Sequence, residues 1–201
     1  LSANSINVGG DSSIDNGFSF ETYVKNNPEY TYQPDPSGSW SKIGDTMSYG
    51  SGGSSSVSLS SDGSIVATSS DRSSRGVKVY QRDTNAASGW TELFSHNINN
   101  IRYGSQCALS GDGQRLAVTA ATGGNSGNGT LHIYHWDGST FLEHTVITAT
   151  TGDRWGENNS YGGNTLYMST DGNTVVWSDI DDGGNQRGQV KAYRYNGTSW
   201  N

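Results

Sequence analysis

The 201-residue chain has one cysteine, three prolines and four lysines, and no apolar run approaches the length of a membrane span. Each shortage excludes something. A lone Cys107 can neither close an intramolecular disulfide nor build a cysteine-based metal cluster. With 12 basic against 19 acidic residues, a net charge of −7, no basic patch can neutralise a phosphate backbone, so nucleic acid is not an expected partner. A spanning helix needs about 20 apolar residues, and no basic amphipathic segment is present either, so membrane insertion is not expected. Gly-x-Ser-x-Gly, His-Glu-x-x-His and phosphate-binding glycine loops are all missing. The chain opens on Leu1 without a signal sequence, which suggests a processed form or an excerpt.

Glycine and aromatic residues are abundant. The 28 glycines, among many Ser, Thr and Asn, require frequent turns, while 6 Trp, 11 Tyr and 4 Phe exceed what disordered chains carry. This composition suits short strands. Three N-glycosylation sequons, at Asn128, Asn158 and Asn196, fall in Gly- and Asn-rich segments expected to be exposed loops, pointing to an extracellular location.

One pattern recurs. "VSLSSDGSIVATSS" from Val57 is matched by "CALSGDGQRLAVTA" from Cys107 and "LYMSTDGNTVVWSD" from Leu166. "WSKIGD" from Trp40, "WTELFS" from Trp90 and "FLEHTV" from Phe141 precede the hairpins, and "VKVYQR", "LHIYHW" and "VKAYRY" follow them. The aromatic leaders are spaced 50, 51 and 59 residues apart, counting to Trp200. Such a period marks a propeller or similar array. Asp-Gly between two alternating segments predicts a tight type I′ turn, with Asp62, Asp112 and Asp171 as turn residues at positive φ.

The expected fold is all-β: a propeller-like array of four-stranded antiparallel blades, three full repeats plus a partial N-terminal one. The boundaries read as an arm over 1–17, a partial repeat over 18–39, blades over 40–89, 90–140 and 141–199, and the start of a further repeat at 200–201, one domain overall. In the partial repeat Tyr32 matches Tyr80.

A Trp-led strand, an "LS-x-DG" hairpin and a closing "V-x-V-Y" strand, repeated at this period, resemble the secreted β-propeller repeats related to the FG-GAP and WD-repeat groups. The resemblance spans Trp40 to Trp200 and implies a propeller of extracellular proteins. Regular acidic calcium loops and Gly-His or Trp-Asp dipeptides are absent. "Ser60-Ser61-Asp62-Gly63" also looks like the Asp-box of sialidase-type propellers, there a structural turn.

Candidate sites sit where the repeat is broken. The third unit is longer, and its extra residues include Asp153, Arg154, Trp155 and Glu157. Adjacent Trp and Arg suit a sugar-stacking or protein-contact surface; the alternative is that Trp155 folds back over the sheet as a lid. Asp179, Asp181, Asp182 and Asn185 gather oxygen ligands of the kind Ca²⁺ accepts, but the matching loops of the other units are not acidic, so a solvated turn is the rival. No other cofactor is expected. Cys107 shares a column with Val57 and Leu166 and reads as core. The aromatic columns read as packing between sheets. The four histidines show no metal-ligand spacing.

Repeats, open ends, sequons and missing catalytic motifs together suggest a non-enzymatic extracellular structural or adhesion protein, part of a surface fibre, filament or virion appendage. Its partners would be copies of itself or neighbouring surface proteins, or glycans. A carbohydrate-binding, lectin-like propeller using Trp155 and an extracellular glycosidase are the alternatives.

Overall fold

The computed structural model describes residues 41–47, 56–71, 76–123, 128–149, 165–179 and 188–201. Apart from residues 41 and 42 these belong to one compact unit, Ile43–Asn201. Among the described residues every regular element in it is a strand. The first sheet holds β1 (Ser56–Leu59), β2 (Ile65–Ser70), β3 (Gly76–Arg82) and β4 (Trp90–His96). The second holds β5 (Tyr103–Leu109), β6 (Arg115–Ala120), β7 (Thr130–Trp136) and β8 (Phe141–Thr148). The third holds β9 (Leu166–Met168), β10 (Thr174–Asp179) and β11 (Gln189–Arg194). Each is an antiparallel meander in chain order. Among the described residues no sheet closes into a barrel and no propeller ring forms.

The sheet membership differs from the sequence expectation in two respects. Trp90 does not open a unit: Arg82 pairs with Trp90, so the aromatic-led strand is the fourth of the sheet whose hairpin precedes it. The short connection explains this, since Asp83 N donates to Gly89 O at 3.0 Å and folds β4 straight back on β3. Phe141 closes the second sheet in the same way, opposite Trp136. Among the described residues the third sheet has three strands where four were expected, and Trp200 meets the end of β11 through an isolated bridge to Tyr195.

The Ser-x-Asp-Gly segments make the hairpins, but not as type I′ turns. Only the glycines take positive φ, at 72°, 69° and 67° for Gly63, Gly113 and Gly172; the aspartates do not. In the first turn Gly63 N donates to Ser60 O at 3.0 Å and Ser60 N to Ile65 O at 2.9 Å. The loop is thus a β-turn followed by a left-handed glycine, the longer hairpin connection. The flanking side chains explain the motif. Ser60 Oγ donates to Asp62 Oδ1 at 2.7 Å while accepting from Ile65 N at 2.9 Å. Ser110 with Asp112, and Ser169 with Asp171, repeat the arrangement. The amide of Ser64 and then the Ser60 hydroxyl hold the Asp62 carboxyl down at about 2, and the Ser169 hydroxyl and then the amide of Asn173 do the same for Asp171.

Alternation then sorts side chains into two cores. Ala67, Val77 and Val79 of the first sheet meet Cys107, Leu109, Leu116 and Val118 of the second. Ala108, Ala117, Leu131 and Ile133, on the second sheet's other face, meet Leu166, Val175 and Trp177 of the third. The middle sheet is therefore covered on both faces, which is why β6 is buried at consecutive positions despite its antiparallel pairing. The seam is also polar: Ser58 Oγ accepts from Leu109 N at 2.8 Å, so a hydroxyl of β1 satisfies an edge amide of β5. The turns themselves form a ladder, Ser61 N to Gly111 O at 2.8 Å and Gly111 N to Thr170 O at 2.9 Å.

Candidate functional site

The site grows out of columns that the repeat uses twice. Tyr80 lies opposite Glu92 and Tyr134 opposite Glu143, each beside a register shift in the sheet. In the first sheet Lys78 Nζ donates to Glu92 Oε2 at 2.8 Å. Lys78 is part-exposed and Glu92 exposed, and such a pair contributes about 0–1 kcal/mol. It is framework.

In the second sheet His132 takes the lysine's column, and the neighbours change. His132 Nδ1 lies 2.8 Å from Glu143 Oε2. A carboxylate only accepts, so Nδ1 carries the proton toward Glu143, and Nε2 lies 2.9 Å from Thr130 Oγ1. Tyr134 Oη donates to the same Glu143 oxygen at 3.3 Å, and Tyr103 Oη donates to Tyr134 Oη at 2.8 Å. Burial pushes both phenol pKa values up, so both remain protonated donors. Glu143 keeps 43% of its side chain exposed while His132 is almost wholly covered. The chain of bonds runs from the interior to the surface.

His96, at the end of β4, completes the cluster. Its ring centroid lies 5.5 Å from that of Tyr103 and 6.0 Å from that of Tyr134, both edge-on, and it stacks on Phe94 at 5.9 Å. Burial lowers its pKa, with Glu143 opposing that shift and His132 adding to it. It is therefore neutral at pH 7. Among the described residues its imidazole makes no side-chain hydrogen bond. A half-buried neutral imidazole beside a fixed carboxylate can accept a proton and return it.

None of this was singled out in the sequence. Two signals were available. His96 occupies the column of Ile147, each pairing with the start of the neighbouring strand at Val77 and Leu131. And a Tyr-Gly pair precedes each hairpin, at Tyr49, Tyr103 and Tyr161.

Asp153, Arg154, Trp155, Glu157 and the sequon at Asn158 lie outside the described residues, as do Asp181, Asp182 and Asn185. Of the calcium candidates only Asp179 is reached, as the last residue of β10. Among the described residues no three His, Cys, Asp or Glu side chains are grouped to hold a metal, and no helix is long and apolar enough to cross a membrane. Asn128 is half-buried and Asn196 exposed, the latter accepting from the amides of Thr198 and Ser199 at 2.9 Å. Cys107 is buried, and burial pushes its thiol up to about 11.

No family model matches the chain, and no curated protein matches it. Among solved structures it is similar to a "putative 6-phosphogluconolactonase" from Bacteroides uniformis, at 13% identity and a TM-score of 0.49, over 74% of this chain and 39% of that one. The chain thus spans about two fifths of the length of the solved structure it matches. A likeness this faint gives the chain neither activity nor substrate. With no FG-GAP or WD-repeat model matching, membership of those repeat groups is corrected. The readings built on it are corrected too: the non-enzymatic structural or adhesion protein of a fibre, filament or virion appendage, and its lectin-like alternative, are not carried further.

Proposed function

We propose that the junction of the first two sheets is a general acid–base site of hydrolytic type, acting on a small polar substrate that approaches beside Glu143. The observation that supports it most is His96: a half-buried imidazole, free of side-chain hydrogen bonds among the described residues, packed edge-on against two tyrosines chained to a part-exposed carboxylate. In this reading neutral His96 takes a proton from water as its oxygen bonds to the electrophilic carbon. The resulting imidazolium is stabilised by the negative charge of Glu143. The proton is then returned to the leaving oxygen as its bond to that carbon breaks. Tyr103, Tyr134 and His132 act as positioning residues, because their bonds fix Glu143 rather than reach outward.

The same proposal takes the three sheets as consecutive blades of a propeller-like array. It is supported by the repeated seam between sheets and by the turn ladder, which place β1, β5 and β9 in the same relation to one another. An extracellular setting is proposed with it, on the sequons and the Gly-, Ser- and Asn-rich composition.

Hydrolysis of a panel of chromogenic esters, lactones and glycosides tests the site, run beside His96→Ala and Glu143→Gln. Turnover lost in both variants with unchanged melting supports the reading. Turnover absent throughout, or equal in His96→Ala, overturns it.

A further inference from the structure

Asn-Gly pairs occur in the sequence at Asn16, Asn128 and Asn196, and the last two lie among the described residues. Such a pair is chemically special because a glycine amide, with no side chain beside it, can reach the carboxamide carbon of the asparagine before it. The two sites differ. Gly129 is buried; its amide donates to Gly123 O at 2.9 Å and its carbonyl accepts from Ala149 N at 3.1 Å, so the nucleophile is engaged. Gly197 is exposed, and among the described residues its amide donates to no acceptor. A Cβ built at Gly197 would find nothing within 4 Å, so a ring has room to form.

The turn also holds the reacting group. Asn196 Oδ1 accepts from the amides of Thr198 and Ser199, each at 2.9 Å, and Nδ2 donates to Ser199 Oγ at 3.2 Å. Two amides on one carboxamide oxygen are placed to stabilise negative charge that develops there. Tyr195 Oη donates to Gly197 O at 2.8 Å, so the peptide group that carries the Thr198 amide is held at both ends. The second sheet contains the same turn with an acid already in place. Asp137 Oδ1 accepts from Ser139 N and Thr140 N, each at 2.8 Å. Asp137 N donates to Thr140 O at 3.1 Å, as Asn196 N does to Ser199 O at 3.0 Å, and Gly138 and Gly197 take φ of 104° and 99°. The amides of Thr140 and then Ser139 lower the pKa of Asp137. Charge strengthens such bonds, so the turn favours an aspartate over an asparagine.

We propose that Asn196 is a self-modification site, which the folded turn converts to aspartate by deamidation. Gly197 N gives up its proton to hydroxide and bonds to Asn196 Cγ. The Cγ–Nδ2 bond breaks, and Nδ2 leaves as ammonia with a proton taken from water. Water then opens the cyclic imide at the new bond, hydroxyl to Cγ and proton to Gly197 N, which restores the peptide and leaves an aspartate. Opening on the other side would give isoaspartate, whose longer backbone loses the Asn196 N to Ser199 O bond. The step is independent of the acid–base site, and it erases the sequon because the acceptor amide is lost.

The folded protein is incubated in mildly alkaline buffer beside a sample in urea, and both are followed by peptide mapping that separates aspartate from isoaspartate. In the folded protein aspartate is expected at Asn196 at least as fast as in urea, while reaction at Asn128 is about tenfold or more slower than in urea. Asn196→Asp should melt at or above the temperature of the parent, since Asp137 holds the same turn. No acid at Asn196 in the folded protein, formation slower than in urea, or isoaspartate as the main product overturns the proposal. A clearly lower melting temperature for Asn196→Asp does so too.

Discussion

The hydroxyl of Tyr103 lies 2.8 Å from that of Tyr134, inside the second sheet, with almost no solvent at either ring. Tyr103 begins β5 and Tyr134 lies near the end of β7, so the bond crosses the strand between them. Through Glu143 it also ties β8. The pair thus serves the packing and the candidate site at once.

Tyr134→Phe should leave the Tyr103 hydroxyl without its acceptor at a site that water does not reach. The expected cost is about 1–3 kcal/mol, the penalty of a buried donor left unmade. Tyr103→Phe together with Tyr134→Phe should cost less than the two single changes summed, because the second removes the orphan the first creates. Urea unfolding of the three variants reads this directly; simple additivity would mean the hydroxyls are not coupled.

Gly111→Ala tests the turn ladder. A Cβ there would run into Thr170 Cγ2 and meet Ser61 Oγ at 2.5 Å and Thr170 O at 3.0 Å. Since Gly111 is not at positive φ, the penalty is steric, with neighbours from both adjoining sheets. Overpacking of this kind costs about 1–3 kcal/mol, and a shift of the urea midpoint at constant slope is expected. An unchanged midpoint would show that the sheets do not approach so closely.

Cys107 should be inert in the folded protein. Its thiol is buried and raised to about 11, so almost no thiolate exists at pH 7.5 to attack a disulfide reagent. Titration with a chromogenic thiol reagent should show no reaction in buffer and one equivalent in denaturant. Fast reaction in buffer would place the residue on an open surface.

Asp62 and Asp171 set the acid limit of the hairpins. Their folded pKa values lie near 2, below the ordinary value of about 3.9. A depressed carboxyl contributes stability that is present above the unfolded pKa and is lost as pH falls through the folded one. Acid unfolding followed by circular dichroism should therefore steepen between about pH 4 and pH 2, and Asp62→Asn with Asp171→Asn should flatten that part of the curve. A curve identical to the parent's would mean the carboxyls are equally solvated in both states.

Part of this was legible in the sequence because repetition averages out accident. Three Ser-x-Asp-Gly segments marked the hairpins, and the column read as core holds for Cys107 and Leu166, which are buried, but not for Val57, which is exposed. The turn type was misread because Asp-Gly alone does not say how many residues the loop contains; the serine two positions earlier, closing on the amide five residues beyond it, lengthens the loop. The strand led by Trp90 was assigned to the wrong neighbour because period alone does not say where a unit begins. The candidate site was invisible for a related reason. His96, Tyr103, His132 and Glu143 come from four strands, and only the register at the bulges beside Tyr80 and Tyr134 brings them together. Where the repeat is broken, around Trp155 and Asp181, sequence reasoning looked for function, and those residues lie outside the described ones.

His96 gives the clearest dependence on pH. Its pKa is lowered, first by burial, from an unfolded value of about 6.5. In the native state it therefore binds fewer protons than in the unfolded state across the window just below 6.5. Stability is full above that window and falls as pH drops through the folded value, where the buried ring must charge. The same protonation removes the proton acceptor, so hydrolysis should fall on its acid side with an inflection below 6.5 rather than at it. His96→Phe should keep the stack on Phe94 and the edge contact with Tyr103, abolish turnover, and erase that step in the stability curve. Stability and rate are independent readouts of one group. If the step persisted in His96→Phe, it would belong to another histidine; if the acid limb of the rate lay above 6.5, His96 would not be the base.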